Sequence, residues 1–352
     1  MAGLLREIKI GNITVGNNNP TFVIAEAGSN HNGDLGQAKK LIDVAVEAKA
    51  DAVKFQTFTA DKIAARTDDK VMQLGDEYDT ADDLYELYKE LELPREWQQE
   101  LRDYAQNKGI IFLSTPFDYE AVDQLEELEM PVYKIASFEC IDLPFLRYIA
   151  RKCKPIILST GMANLGEIEE SLDTIYNEGN EQVILLHCGI SYPMPVEDVN
   201  LAAMDTISQA FQVPVGYSDH TLGITVPVCA VARGAKVIEK HFTLDRKLPG
   251  PDHKFALEPD ELTAMVKGVR EAEVAIGSPI KKHVAPEEIH YHRGRRSIFA
   301  VKDIPVNTRI KAEMIAVLRP GIGLKPKYYD LVIGRTAKKN IKAYEPITWE
   351  KI

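Results

Sequence analysis

Short apolar runs of five to eight residues recur through the first two thirds of the chain, and polar or charged residues end nearly every run. Between successive runs lies room for a helix, as in the amphipathic stretch 35–50. Eight buried strands that alternate with helices are the pattern of a (β/α)8 TIM barrel. The eight runs are 21–26, 52–56, 110–115, 132–137, 155–160, 183–187, 213–220 and 237–241.

The polar residues at the strand ends are the candidate active site, because barrels of this kind place their chemistry at the C-terminal ends of their strands. Two connections on that side, 58–79 and 243–258, are longer than plain loops and are expected to form lids or substrate contacts; an ordinary surface insertion explains the first nearly as well. At the other end, the β-like alternation within residues 1–20 predicts a hairpin that closes the barrel bottom.

The pattern after the eighth unit predicts a second domain. Residues 1–280 form the barrel with its hairpin, residues 281–294 have the composition of a linker, and residues 295–352 are expected to form a small, mostly β module. The net charge is −11, but residues 291–352 alone carry +9, which leaves −20 for residues 1–290. We expect the basic module to dock on the acidic barrel or to help hold an anionic substrate.

Several classes of function are excluded by composition. The basic segment lacks a long Lys/Arg block and interleaved aromatics, so we expect no nucleic-acid partner. No apolar run approaches the roughly 20 residues that span a bilayer, and the N-terminus lacks the apolar core of a signal peptide. We therefore expect a cytoplasmic protein without a membrane partner. Four cysteines without a CxxC pair argue against a disulfide framework or a zinc cluster.

Two histidines end neighbouring strands, His220 the seventh and His241 the eighth. Both occupy strand positions whose side chains are expected to project to the same face. Paired imidazoles suit a first-row divalent metal whose other ligands are water, carboxylate or substrate oxygens. A pair of hydrogen-bonded histidines without a metal explains the spacing equally well.

Two lysines, Lys54 and Lys134, end apolar strands that would not tolerate an unpaired ammonium group. Four hydroxyl residues end strands on the same rim, which favours a cradle for phosphate and carboxylate groups. The alternatives are a Schiff-base lysine and neutralisation by a barrel carboxylate such as Glu26, Glu139 or Glu239. The hydroxyl residues are Thr115, Ser137, Ser159 and Ser218.

The strand-end segments together resemble the sialic acid synthase family, which condenses phosphoenolpyruvate with amino sugars to make nonulosonic acids. The tail segment 319–323 resembles that family's antifreeze-like (SAF, β-clip) domain. The matching barrel segments are 24–31, 54–57, 114–117, 133–139, 158–162, 216–221 and 239–242.

The resemblance implies that phosphoenolpyruvate, an open-chain N-acetylated hexosamine and water give a nine-carbon 2-keto acid and phosphate. It implies His220 and His241 as ligands of a divalent metal, with Mn²⁺ expected and Mg²⁺ or Co²⁺ as alternatives. Glu26 is implied in proton transfer or water positioning, together with Gln56. The residues implied in phosphoenolpyruvate binding are Lys54, Thr115, Lys134, Ser137, Ser159 and Ser218; those implied in sugar binding are Gln56, Glu139, Tyr192, Asp252 and Arg319.

The resemblance further implies a domain-swapped homodimer in which Arg319 reaches the site of the other subunit. The chain departs from the family pattern at Gly189 and Ile190, where a polar contact to phosphate is expected. Two rival hypotheses stay open: another barrel aldolase with a Schiff-base lysine, and a non-enzymatic carbohydrate-binding protein. The identity of the N-acetylated sugar is also left open, with a slight preference for a bacterial bis-acetamido sugar.

Overall fold

The computed structural model describes residues 5–67, 69, 72 and 83–352. The chain divides into two compact units, Met1–Gly277 and Ser278–Ile352. Within the long connection expected at 58–79, residues 68, 70, 71 and 73–79 lie outside the described residues.

The first unit begins with an antiparallel hairpin of β1 (Glu7–Ile10) and β2 (Ile13–Gly16). Its apolar side chains Ile8, Ile10 and Val15 are buried and join one core cluster with inward-facing barrel residues. The hairpin thus closes the bottom of the barrel, as predicted. The barrel residues of that cluster are Phe22, Ile24, Ala52, Leu113, Val132, Ile157, Ile184, Leu186 and Val237.

Eight parallel strands follow, in the positions of the eight apolar runs. Their hydrogen-bonded order is β5-β4-β3-β10-β9-β8-β7-β6, and β5 lies beside β6 at the seam. The predicted (β/α)8 barrel is therefore confirmed. The strands are β3 (Phe22–Gly28), β4 (Ala52–Thr57), β5 (Ile111–Pro116), β6 (Tyr133–Ile135), β7 (Ile156–Ser159), β8 (Val183–Cys188), β9 (Val215–Asp219) and β10 (Val237–His241).

Helices cover the outside of the barrel, and a second core cluster fills the layer between strands and helices. Side chains of Asp34, Asp118 and Asn164 cap the backbone N–H groups that begin three of these helices. The helices are α1 (Leu35–Glu47), α2 (Ala60–Ile63), α3 (Leu84–Leu91), α4 (Trp97–Lys108), α5 (Tyr119–Glu127), α6 (Leu143–Ala150), α7 (Leu165–Asn177), α8 (Ala203–Phe211), α9 (Thr225–Ala232) and α10 (Pro259–Ile276).

The second unit contains α11 (Glu288–Gly294), the antiparallel pair β11 (Ser297–Ala300) and β12 (Ile315–Leu318), and α12 (Tyr329–Val332). Residues expected to be a linker, 281–294, contain α11 and a 3-10 turn at Ala285–Glu287. A separate cluster of buried apolar side chains, with Ile298 and Ile347 fully buried, forms the core of this unit. Among the described residues, no helix is long and apolar enough to cross a membrane.

Candidate active site

Three side chains from β3 and β4 meet at the mouth of the barrel. Glu26 is paired in register with Lys54, and the Lys54 Nζ lies 2.7 Å from Glu26 Oε2. Gln56 lies two residues beyond Lys54 on the same face and donates from Nε2 to Glu26 Oε1 at 2.9 Å. Glu26 is therefore held on both carboxylate oxygens, one by an ammonium group and one by an amide.

A second carboxylate, Glu239 on β10, lies between the two lysines. Its Oε2 is 3.7 Å from Lys54 Nζ, and its Oε1 is 3.4 Å from Lys134 Nζ. The Ser218 hydroxyl donates to the same Oε1 at 2.9 Å. All of these side chains are buried. The structure therefore brings both predicted lysines into one charged cluster, although they come from strands two and four of the barrel.

The predicted hydroxyl residues line the same cluster. Lys54 donates to Thr115 Oγ1 at 2.9 Å, and Lys134 donates to Ser159 Oγ at 2.9 Å. The hydroxyl of Ser137 instead accepts from the backbone N–H of Gly161 at 3.0 Å. Lysines with hydroxyl partners have the chemistry of an oxyanion cradle, because each of these groups can donate a hydrogen bond to a bound phosphate or carboxylate.

Burial and neighbouring charges give the four ionisable groups of the cluster different properties. Burial raises the pKa of Glu26 to about 7, although Lys54 opposes the rise. Burial would also raise the pKa of Glu239, but Lys134 and Lys54 together hold it below its usual value. Burial alone would lower the pKa of Lys54, but Glu239 and Glu26 raise it above its usual value. For Lys134 burial prevails, and its pKa is lowered. Of the two carboxyl groups, Glu239 is therefore held in the charged form, whereas Glu26 exchanges its proton near neutral pH.

The two predicted histidines lie side by side, with His220 and His241 ring centroids 5.3 Å apart. The Nδ1 of His220 is 2.7 Å from the Gly189 carbonyl oxygen, so the proton is on Nδ1 and the lone pair is on Nε2. The Nδ1 of His241 is buried without a hydrogen-bond partner. Burial lowers the pKa of both imidazoles, that of His241 well below its usual value. Both rings are therefore neutral near pH 7.

These properties fit a divalent metal, which binds neutral imidazole through a free lone pair. His241, with a buried nitrogen that makes no hydrogen bond, and the carbonyl-oriented ring of His220 each have a ring nitrogen available to such an ion. Among the described residues, no group of three or more His, Cys, Asp or Glu side chains is arranged to hold a metal. The other ligands of a bound ion would have to be water or substrate oxygens.

The long connection after β10 folds over the histidines. Asp252 Oδ2 lies 3.5 Å from His241 Nδ1, and burial raises the pKa of Asp252 to about 6. Gly28 has a φ of +52°, and a Cβ there would lie 3.2 Å from Asp252 Oδ2 and 3.4 Å from both Glu26 Oε1 and His241 Cε1. Glycine is therefore needed where the carboxylates and the imidazole converge.

An aromatic wall borders the histidines. Tyr192 lies against His220 with ring centroids 4.4 Å apart, and Phe255 lies 5.2 Å from the ring of His241. Behind Phe255, the buried His253 contacts Thr243 Oγ1 at 2.6 Å and Asn32 Oδ1 at 3.0 Å, which ties the connection to the loop after β3. These contacts hold Asp252 and Phe255 over the barrel mouth.

Glu139 and Arg319 are the remaining predicted sugar-binding residues. Glu139 follows β6, is partly buried, and has one carboxylate oxygen without a partner; burial raises its pKa to about 7. Arg319 belongs to the second unit. The roles of both residues stay predictions.

Sequence reasoning missed two features of the site. Neutralisation of the lysines by Glu26 or Glu239, the alternative considered in the sequence, is what the structure shows, but the sequence did not reveal that Glu239 contacts both lysines and Ser218 at once. Gly189 was seen only as a lost polar side chain, whereas its backbone oxygen orients His220. No side-chain pattern can reveal a backbone contact of this kind.

Two family models and several relatives match the chain. A model described as the NeuB family matches residues 41–281, and a SAF domain model matches residues 295–352. The chain is 46% identical over 332 residues to the N,N'-diacetyllegionaminic acid synthase of Campylobacter jejuni, covering 93% of this chain and 98% of that protein. It is 39% identical to the pseudaminic acid synthase of the same species, with 95% of this chain and 97% of that protein covered.

Among solved structures, the crystal structure of an N-acetylneuraminic acid (sialic acid) synthetase from Leptospira borgpetersenii in complex with citrate matches with a TM-score of 0.72. That match has 37% identity and covers 83% of this chain and 98% of the other. The resemblance noted in the sequence is thereby confirmed, including the antifreeze-like domain. The chain belongs to the NeuB family and carries a C-terminal SAF domain.

Proposed function

We propose that the protein condenses phosphoenolpyruvate with an open-chain 2,4-diacetamido hexose and water to give a nine-carbon 2-keto acid and phosphate. In this reaction C3 of phosphoenolpyruvate forms a bond to the aldehyde carbon, and the aldehyde oxygen gains a proton. Water adds at C2, and the bond between C2 and the phosphate oxygen breaks. The sugar class follows the relative that is 46% identical and is named for diacetyllegionaminic acid.

The observation that carries the proposal is the buried pair of lysines at the barrel mouth. Lys54 and Lys134 face one carboxylate that stays ionised, Glu239, and one that is about half protonated at pH 7, Glu26. When Glu26 is protonated, Glu239 is the one charged carboxylate facing both lysines, which suits the binding of a small, multiply charged anion. Thr115 and Ser159 supply neutral donors beside the lysines.

Glu26 is suited to move a proton during the reaction. With a pKa of about 7 it is present both as acid and as base at neutral pH, which is the condition for efficient proton transfer. Gln56 donates to one oxygen of Glu26 and so orients the carboxyl group. We assign to Glu26 either delivery of a proton to the aldehyde oxygen or positioning of the attacking water.

His220 and His241 would hold a divalent metal, with Mn²⁺ as our first choice. Such an ion supplies Lewis-acid polarisation of a carbonyl oxygen. Tyr192 and Phe255 keep bulk water from one side of the two imidazoles. Asp252, next to His241, is placed to accept a hydroxyl hydrogen bond from the sugar.

The test is phosphate release from phosphoenolpyruvate with a panel of sugars: N-acetylmannosamine, 2,4-diacetamido hexoses and mannose 6-phosphate derivatives. We expect release with a 2,4-diacetamido hexose and formation of a nine-carbon keto acid. Turnover with N-acetylmannosamine alone would change the assigned sugar but keep the reaction. No phosphate release with any N-acetylated sugar would overturn the proposal.

Two further measurements separate this mechanism from its rivals. Exhaustive chelation should abolish turnover, and Mn²⁺ should restore it. Borohydride treatment in the presence of substrate should leave Lys54 and Lys134 unmodified, because neither lysine is assigned a covalent role. A covalent adduct at either lysine would support a Schiff-base aldolase instead.

A further inference from the structure

The strands that carry the two histidines are joined by a buried ion pair on their outer side. Lys240 precedes His241 and Asp219 precedes His220, and the two are paired in register between β10 and β9. The Lys240 Nζ lies 2.6 Å from Asp219 Oδ2, and both side chains are fully buried. Side chains alternate along a strand, so this pair lies on the opposite side of the strands from Glu239 and Ser218.

The ion pair also holds the residue that follows His220. Lys240 Nζ donates to the Thr221 carbonyl oxygen as well as to Asp219. Asp219 accepts from the Thr221 backbone N–H at 3.0 Å and from its hydroxyl at 3.1 Å. Asp219 and Thr221, which flank His220, are thereby both bound to Lys240, which precedes His241. We call Asp219, Thr221 and Lys240 the clasp.

Such an ion pair is a costly way to stabilise a barrel. Taking an ammonium and a carboxylate out of water carries a desolvation cost that their attraction often fails to offset, and apolar replacements of both partners can be equally stable. Most strand side chains around the clasp are apolar, with Ile238 and Phe242 fully buried, although the Tyr217 hydroxyl faces Asp219. Packing alone therefore gives no reason for a charged pair at this place.

We propose that the clasp is a positioning device that sets the distance and orientation of His220 relative to His241, and so determines the affinity for a divalent metal. This inference rests on the proposed metal site. Without the clasp, the loop at His220 would be held mainly by the His220 carbonyl, which accepts from the Met194 N–H at 2.9 Å, and by the bond from the ring to Gly189. Neither contact involves β10.

The test compares metal binding by the full-length protein and by the double variant Asp219→Asn/Lys240→Met, which removes both charges and keeps the side-chain volumes. The matched control is Asp51→Asn/Arg270→Met, which removes the 2.8 Å ion pair at the opposite end of the barrel. Calorimetry gives the Mn²⁺ and phosphoenolpyruvate affinities, and the visible spectrum of Co²⁺-loaded protein reports the geometry of its ligands. Thermal unfolding checks that each variant is folded.

We expect Mn²⁺ to bind the clasp variant 10- to 100-fold more weakly, as is usual for groups that orient metal ligands. The Co²⁺ spectrum should change, and phosphoenolpyruvate affinity without metal should stay within about threefold of wild type. The control should bind Mn²⁺ like wild type, whatever its loss of stability. Unchanged Mn²⁺ affinity and Co²⁺ spectrum in a folded clasp variant would overturn the proposal.

A milder variant covers the case in which the double variant does not fold. Thr221→Val removes only the hydroxyl bond to Asp219 and should weaken Mn²⁺ binding by about two- to tenfold, the usual effect of one hydrogen bond; wild-type affinity would count against the clasp. If the wild-type protein itself binds no divalent metal, the proposed metal site fails, and the clasp proposal is overturned with it.

Discussion

Glu26 and Glu239 both contact Lys54, yet their carboxyl groups hold protons differently. Glu239 has a second lysine and the Ser218 hydroxyl as partners, so its pKa is lowered despite burial. Glu26 has one lysine and a neutral amide, and burial prevails, which raises its pKa to about 7. One additional ammonium group therefore separates a permanent anion from a carboxyl group able to exchange protons near neutral pH.

Replacement of Glu26 by Gln should change how stability depends on pH. Because the folded-state pKa of Glu26 is raised from 4.5 to about 7, the native state binds more protons than the unfolded state between these values. The contribution of Glu26 to stability therefore falls as pH rises through this window. As pH rises from 4.5 to 7.5, the free energy of unfolding of Glu26→Gln, relative to that of wild type, should increase by about 1–3 kcal/mol. Urea titrations at each pH measure both values.

The control for that experiment is Glu120→Gln. Glu120 is exposed, and its hydrogen bond to Lys62 lowers its pKa, so this substitution should give no such gain with rising pH. An equal pH profile for wild type and Glu26→Gln would contradict the raised pKa and, with it, the proton-transfer role.

Lys134 is assigned to anion binding. Replacement by Gln keeps most of the side-chain volume but removes the charge that faces Glu239 and Ser159. We expect the KM for phosphoenolpyruvate to rise 10- to 100-fold, as for the loss of a charge-assisted hydrogen bond, while the KM for the sugar changes about threefold or less. Initial rates measured with each substrate varied in turn give both values.

The exposed Lys267, on α10, provides the comparison, since Lys267→Gln should leave both constants unchanged. A folded Lys134→Gln enzyme with wild-type affinity for phosphoenolpyruvate would show that Lys134 does not hold the anion.

At the scale of strands and loops, the alternation of side chains between the two faces of a strand predicted much of the site. Residues two apart share a face, so Lys54 with Gln56 and the strand-end histidines were recognisable from sequence. Strand ends also brought Lys134 to the same mouth, because all eight strands are parallel. Alternation likewise places Lys240 and Asp219 on the outer face, but it does not reveal their ion pair.

Contacts between distant segments were beyond sequence reasoning. Whether Glu239 binds one lysine or two depends on side-chain lengths and strand stagger in three dimensions. The bond from His220 to Gly189 depends on the path of a loop backbone. The bond that His253 makes to Asn32 unites loops 221 residues apart, and no periodicity encodes it.

The β1–β2 hairpin is expected to contribute to barrel stability as a plug. Ile10 is fully buried against inward-facing barrel residues, so Ile10→Ala should lower the free energy of unfolding of the barrel by about 2–5 kcal/mol. The exposed neighbour Lys9 provides a matched control, and Lys9→Ala should change stability by less than about 0.5 kcal/mol. Urea unfolding measures both; equal effects would mean that the hairpin does not seal the barrel.

At the scale of the whole molecule, two properties lead us to propose a homodimer. Residues 291–352 carry +9 and residues 1–290 carry −20, and opposite charges favour association. Large apolar side chains are also exposed after the C-terminal ends of the barrel strands. Such a rim around a polar mouth is typical of an interaction surface. Its members are Phe138 at 52%, Ile141 at 62%, Met162 at 66% and Leu222 at 58% exposure.

In the proposed dimer, Arg319 serves the active site of the other subunit. Arg319→Ala subunits retain intact histidines, and His241→Ala subunits retain an intact arginine, so each homodimer should be inactive for a different reason. A heterodimer has one site with both an intact barrel and an intact arginine. Mixing the two variants should therefore restore activity, up to about a quarter of wild type when exchange is complete and random.

Subunit exchange has to be demonstrated separately, for instance with differently tagged chains that co-purify after mixing. A mixture of His220→Ala with His241→Ala subunits is the matched control, because both changes damage the barrel and no heterodimeric site is complete. We expect no recovery there. Absence of recovery in the Arg319→Ala and His241→Ala mixture, after proven exchange, would mean that Arg319 serves its own barrel or none, because only an arginine acting in trans can complement a defective barrel.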